Sequence, residues 1–164
     1  MTPVQLANLA TLATYLEAHV PPPEFGMQAF MKVTNDHNNL YDFVPDNTEA
    51  YHQCGTSACA VGHGPLALPD SLIDETETWN NYSKRVFGCN AWSSGASADR
   101  FYWMFGGDWS DIDDTPTGAA ARIRYFLDKP LRRKFMDPAN YYRGDDLSEY
   151  LDMVEPFLKQ KQTA

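Results

Sequence analysis

The sequence predicts a mainly α-helical protein, a compact single domain of five to six short helices. Apolar residues recur at three- and four-residue intervals in several segments, as on one face of a helix. Thr-Pro pairs open two of these segments, and glycine or proline residues follow most of them, which are typical helix start and stop signals. A chain of 164 residues with 43% hydrophobic content can bury one core but hardly two, so we expect one domain over residues 1–164.

The first predicted helix lies at the start of the chain. Thr2 can cap it, Pro3 suits its first position, and its buried face is expected to hold Leu6, Leu9, Ala13 and Leu16. The three prolines at 21–23 end it.

The helical pattern is lost from Glu24 to Gln53, and a small β element is expected before Cys54. Residues 34–53 are rich in polar and turn-forming side chains, so they read as an irregular insertion. Such a stretch is either a lid over a site or a tolerated surface insertion.

Two helices are predicted in the middle of the chain. Asp74 with Glu77 matches a capping box, and the helix that follows carries Trp79, Tyr82 and Val86 before Gly88 stops it. A second helix is expected from about Ser97 to Phe105, closed by two glycines.

Two more helices are predicted in the C-terminal third. Thr115-Pro116 opens one that runs to Pro130, with a buried face of Ala119, Ile123, Phe126 and Leu127. The last begins at Asp145 or Asp146, is kinked or restarted at Pro156, and carries Leu147, Leu151, Val154 and Leu158 in register.

Charge and composition limit the classes of function. A net charge of -9 opposes binding to the phosphates of duplex nucleic acid. The sequence has no run of roughly 20 apolar residues that could span a bilayer and no basic leader typical of secretion. Three cysteines make an odd number with no disulfide-framework spacing, so we expect reduced thiols and a cytoplasmic protein.

The segment 54–65, CGTSACAVGHGP, is the first candidate site. If Thr56 caps a helix, Cys59 lies in its first turn, where the helix dipole favours a thiolate, and His63 follows one turn later as a base. With His52 and Cys54, the same pair could supply four zinc ligands, although the spacing lacks a Cys-x2-Cys pair. The alternative is a tight turn and a short helix with buried thiols.

Aromatic and cationic residues form the second candidate site. Rings that can stack a base and guanidinium groups that can bind phosphate are the parts of a nucleotide pocket. The rings are Trp79, Trp92, Tyr102, Trp103, Trp109 and Tyr125, and the cations are Arg122 and Arg124. We select Thr56, Trp79, Trp103, Arg122 and Arg124 as ligand-binding candidates. The alternative is that the rings build the core, Arg122 lies over the surface and Arg124 pairs with Asp128.

Two charged runs have simpler interpretations. The acidic residues of 108–114 do not match a calcium-binding loop and instead place negative charge before a helix N-terminus. The basic run 129–134 is a phosphate or partner patch, or a solvated turn at a helix C-terminus.

Several of these segments together resemble a family of small uncharacterised proteins carried by bacteriophages, prophages and other mobile elements. The matching pieces are Phe25 to Phe30, Cys54 to His63, Trp79 to Gly88, Tyr102 to Phe105 and Thr115 to Ile123. The stretch between Phe30 and Cys54 is longer than in the family pattern, and the spacing of Phe105 from Trp103 departs from it. The resemblance implies a phage accessory protein that works in a bacterial cytoplasm.

Three functions follow as hypotheses. The first is an anti-defence protein that binds and sequesters a small anionic ligand, a nucleotide immune signal, without catalysis and without a cofactor. The second is a thiol- or metal-dependent hydrolase that uses Cys59 and His63. The third is an inhibitor of a host protein that acts through its acidic surface.

Overall fold

The structure is a computed structural model, and it describes residues 1–33, 43–45, 48, 56–73, 76–128 and 145–158. These residues form six α-helices and one two-stranded sheet, so the predicted mainly α fold is confirmed. The helices are α1 (Pro3–His19), α2 (Gly64–Ala67), α3 (Trp79–Phe87), α4 (Ala96–Phe105), α5 (Pro116–Asp128) and α6 (Asp145–Leu158). The strands are β1 (Met31–Val33) and β2 (Thr56–Ala58), and 3-10 turns cover Pro22–Glu24, Pro69–Ser71 and Gly107–Asp111.

Some predictions fall outside the described residues. Most of the insertion 34–53 lies there, as do the basic run 129–134 and the proposed stop at Pro130. In the described part, no helix combines the length and the apolar character needed to cross a bilayer.

α1 begins where the sequence predicts. The Thr2 hydroxyl accepts a hydrogen bond from the Gln5 backbone, and the Gln5 side chain accepts one from the Thr2 backbone, which completes a capping box. The buried side chains are Leu9, Leu12, Ala13 and Leu16. The prediction for Leu6 is wrong: it is 39% exposed, because the buried face centres on Leu12 and Leu16 and Leu6 lies at its edge.

α3 ends at Gly88 as predicted, but the capping residue is Thr78, whose hydroxyl accepts from the Asn81 backbone. The predicted cap, Asp74, lies outside the described residues. Gly88 has a φ of +75°, and a Cβ there would lie 2.6 Å from the Gln5 side-chain oxygen. The Gln5 side chain also donates to two carbonyls of the last turn of α3. Because glycine at 88 leaves room for the Gln5 side chain, α1 can cap the C-terminal end of α3 in this way.

α5 is the central helix and packs against α1, α4 and α6. Residues 118–123 are all buried, whereas Phe126 and Leu127 are only half-buried. The buried surface of α5 therefore includes residues on more sides of the helix than the single face that the sequence predicts. The three small residues Ala119 to Ala121 allow neighbouring helices to approach α5 from several sides.

α4 spans the predicted segment, and its end is closed by Gly106 as expected. α6 also begins where predicted and continues through Pro156 to Leu158. Its buried register differs, however: Tyr150, Val154 and Phe157 are buried, while Leu151 is 50% exposed and Leu158 is also exposed. Tyr150 occupies the inward position because its hydroxyl reaches polar groups buried against α5.

The small sheet pairs β1 with β2 in antiparallel register, Met31 opposite Ala58 and Val33 opposite Thr56. β1 confirms the β element expected before Cys54. β2 occupies residues for which the sequence suggested the start of a helix. A bridge between Phe25 and Ala58 and backbone hydrogen bonds of Ala58 and Cys59 place the end of β2 against residues 25–30.

Candidate functional site

The Cys59 segment folds as a strand, a turn and a single helical turn. Thr56 belongs to β2, so it does not cap a helix. The turn closes through a hydrogen bond from the His63 backbone to the Cys59 carbonyl, 3.0 Å long. Gly62 passes directly against the Phe30 carbonyl, where a Cβ would collide with the carbonyl oxygen. This close approach explains the glycine of the motif.

Cys59 lies in the core and is 3% exposed. Burial raises the pKa of its thiol to about 11, even though the backbone N–H groups of Gly62 and Val61 favour the thiolate. The predicted helix first turn, which should have lowered this pKa, does not exist because Thr56 to Ala58 are extended. A thiol that stays protonated at neutral pH is a poor nucleophile.

His63 follows Cys59 by four residues and is also buried, but its side chain makes different contacts. Its Nε2 donates to the Glu24 carbonyl at 3.1 Å, and its ring stacks on Phe25. Its Nδ1 has no hydrogen-bond partner. Burial lowers the pKa of His63 to about 4, so the ring is neutral at pH 7.

Two of the four zinc-ligand candidates, His52 and Cys54, lie outside the described residues. Within the described part of the chain, no group of three or more histidine, cysteine or acidic side chains could hold a metal ion. Cys89 is a second buried thiol, and burial raises its pKa to about 12.

Three of the four tryptophans are core residues. Trp79, Trp103 and Trp109 are each at most 1% exposed. The indole N–H of Trp103 donates to the Arg122 carbonyl and that of Trp109 to the Tyr102 carbonyl, both at 2.9 Å. Trp79 stacks on Phe30 in a different part of the core. These rings do not face an open pocket on which a base could stack.

Arg122 is fully buried, which corrects the alternative that placed it over the surface. Its Nη1 donates to the Tyr150 hydroxyl at 3.0 Å and to the Asp113 carbonyl at 3.3 Å. The guanidinium carbon lies 4.5 Å above the Trp109 ring. Nε and Nη2 have no hydrogen-bond partner. The sequence thus identified Arg122 and two of the rings as a cluster, but the cluster is closed.

Asp113 places negative charge just before the α5 N-terminus, as the sequence predicts. Its carboxylate lies 3.7 Å from Arg122 Nη1 and accepts from the hydroxyls of Thr115 and Tyr150. A Cβ at Gly118 would collide with this carboxylate, so glycine makes room for it. The protein's own carboxylate therefore lies both beside the first turn of α5 and beside the buried cation.

Arg124 lies on another side of α5 and pairs with Glu17 of α1 at 2.8 Å. The predicted pairing with Asp128 is therefore wrong, because α1 brings a better-placed carboxylate across the interface. Thr56, Trp79 and Arg124 do not join the Arg122 cluster.

Trp92 is the tryptophan that reaches solvent, with 79% of its surface exposed. Hydrogen bonds hold the turn between α3 and α4 that carries Trp92. The Ala91 backbone donates to the Asn80 side chain at 3.2 Å, and the Ser93 hydroxyl donates to the Asn90 side chain at 2.6 Å. The exposed Tyr102 lies beside this turn, with its hydroxyl 3.5 Å from the Ala91 carbonyl. Local composition does not separate Trp92 from the core tryptophans, because the buried Trp109 is also flanked by glycine and polar residues.

The resemblance to phage-borne proteins stays a prediction from the motifs. No protein-family model, no curated protein and no solved structure matches this chain.

Proposed function

We propose that this protein is a non-catalytic interaction protein that binds a partner protein through its acidic surface and the exposed Trp92. The observation that carries the proposal is the contrast between Trp92, 79% exposed, and the three tryptophans that are sealed in the core. Tryptophan is the side-chain type most enriched among the residues that dominate protein–protein binding energies.

The turn that holds Trp92 supports this role. A backbone hydrogen bond from Ala91 to the buried Asn80 side chain and a side-chain bond from Ser93 to the buried Asn90 hold the turn while the ring faces solvent. A turn that is already held in place loses little backbone entropy when a partner covers it. Tyr102 enlarges the exposed aromatic surface beside it.

The net charge of the chain indicates which kind of partner surface it attracts. With a net charge of -9, the protein attracts a partner with a basic surface and repels acidic ones. Steering of this kind weakens as salt is added. The resemblance to phage-borne proteins makes a bacterial host protein the expected partner, and inhibition of a defence protein the expected purpose.

The other two hypotheses, nucleotide sequestration and thiol- or metal-dependent hydrolysis, depend on residues that are buried in the core. A nucleotide pocket built on Trp79, Trp103 and Arg122 would require the core to open. A hydrolase that uses Cys59 would require a thiolate at a site where the pKa is raised to about 11. Both hypotheses still make distinct experimental predictions.

The test is capture from a bacterial host lysate on immobilised protein, followed by affinity measurements with the purified partner. Wild type and Leu151→Ala, which truncates another exposed apolar side chain, should bind equally. Trp92→Ala should lower the affinity at least tenfold, and added salt should weaken binding of the wild type. Equal binding by Trp92→Ala would refute the proposed surface. A nucleotide mass retained in native mass spectrometry would instead support sequestration.

A further inference from the structure

The exposed face of α1 carries no unpaired formal charge. Among its 17 residues, Glu17 is the one acidic side chain, and lysine and arginine are absent. Glu17 is largely buried and tied to Arg124. Over the whole chain 21% of residues are charged, so about three or four charges would be expected in this helix. Surface helices normally present charged residues to water.

Apolar and small side chains cover this face instead. Val4 is 68% exposed, and Ala7, Thr11, Thr14 and Ala18 follow it at intervals of three and four residues. This spacing forms a continuous seam along a helix. The Thr14 hydroxyl donates to the Ala10 carbonyl at 3.0 Å, so covering this side chain leaves no hydroxyl donor unpaired. The face can therefore be buried at little polar cost.

Grooves lie on both sides of this seam. One cavity of about 410 Å³ is lined by Tyr15, His19 and Ala67 together with Ala10 and Thr14. A second, of about 360 Å³, is lined by Arg124, Leu127, Asp128 and Phe157 together with the same Ala10 and Thr14. Ala10 and Thr14 thus form a low ridge between two grooves, a surface on which another helix can pack by ridges into grooves.

We propose that α1 is the interface of a symmetric dimer of this chain. A second copy offers the same ridge and the same grooves, so a two-fold axis across α1 makes the surface complementary to itself. Two copies that each carry a charge of -9 repel one another, but α1 itself adds no unpaired formal charge to a contact between them. A stable dimer buries about 800 Å² per partner. A helix about 25 Å long supplies this contact only together with its groove walls.

The test is sedimentation velocity of the full chain over a range of concentrations. The wild type should sediment at twice the 18.5 kDa of one chain. The variant Thr11→Glu/Thr14→Glu places two charges on the seam and should weaken the dimer at least a hundredfold. Ser94→Glu, which adds charge at an exposed position in the Trp92 turn, should leave the dimer intact. Because α1 exposes both threonines and glutamate favours helices, the double variant should keep its circular dichroism spectrum.

Salt gives a second readout. Screening reduces the repulsion between two acidic copies, so salt should strengthen this dimer, the opposite of its effect on a complex with a basic partner. A wild type that stays at 18.5 kDa at 100 µM would overturn the proposal. So would a folded Thr11→Glu/Thr14→Glu variant that dimerises as strongly as the wild type.

Discussion

Replacing Asp113 and replacing Arg122 should lower the free energy of unfolding by unequal amounts. Asp113→Asn keeps the size of the side chain and one of its two accepting oxygens but removes its charge, which leaves the fully buried Arg122 cation without a formal partner. At 3.7 Å and an effective dielectric constant of about 20, the lost attraction is about 4 kcal/mol. This agrees with the roughly 3–5 kcal/mol typical when one member of a buried pair is removed.

Arg122→Met should cost much less, about 2 kcal/mol or below. Methionine fills a similar volume, and the substitution also removes the two N–H groups that have no partner in the folded protein. Its cost is the lost contact with Trp109 and the lost bonds to the Tyr150 hydroxyl and the Asp113 carbonyl, while the Asp113 carboxylate keeps its bonds to Thr115 and Tyr150.

Urea unfolding at pH 7, followed by circular dichroism and tryptophan fluorescence, gives both free energies. Because about 1 kcal/mol shifts the melting temperature by roughly 2–4 °C in a chain of this size, Asp113→Asn should melt about 10 °C lower than the wild type. In the double variant, most of the cost of Asp113→Asn should disappear. A neutral Asp113→Asn, or an Arg122→Met that costs as much or more, would refute this reasoning.

Three further predictions concern the motif segment. His63 has a pKa of about 4 when folded and about 6.5 when unfolded, so the unfolded chain binds the proton first as the pH falls. The free energy of unfolding should therefore decrease by up to about 3 kcal/mol between pH 6.5 and pH 4. Urea unfolding of His63→Phe over the same pH range should lack this component. In a Cys54→Ser variant the remaining thiols are Cys59 and Cys89, and a thiol-specific dye should label them only after denaturation; rapid labelling of native protein would contradict their burial. Gly62→Ala should lower the free energy of unfolding by about 1–3 kcal/mol because the new methyl meets the Phe30 carbonyl, whereas Gly26→Ala, where nothing lies within 4 Å, should leave it nearly unchanged.

Local signals in the sequence predicted much of the helical fold. The Thr2 cap, the Thr115-Pro116 start and the Gly88 stop each depend on residues within one turn, so they can be read from the chain itself. The buried register of α6 could not be read in this way. Leucine spacing favoured Leu151, whereas Tyr150 turns inward to reach Arg122, 28 residues away in the chain.

The candidate site was harder to predict, because partners distant in sequence decide what each side chain does. Arg124 meets Glu17 across the α1–α5 contact, 107 residues away, and no local pattern announces that pairing. Asp113 was assigned only a general charge at the α5 N-terminus, and its bond to Tyr150 of α6 depends on the packed fold. Composition gave four tryptophans but not their exposure, which depends on the shape of the whole domain.

Three of the four tryptophans belong to the core, and Trp92 is the tryptophan that faces solvent. Acrylamide quenching of tryptophan fluorescence, compared between the wild type and Trp92→Phe, tests this assignment most directly, because acrylamide is neutral and unaffected by the acidic surface. We expect Trp92→Phe to remove nearly all of the readily quenched emission. A Trp92→Phe protein that is folded yet still strongly quenched would place at least one of Trp79, Trp103 and Trp109 in an open pocket and contradict the account.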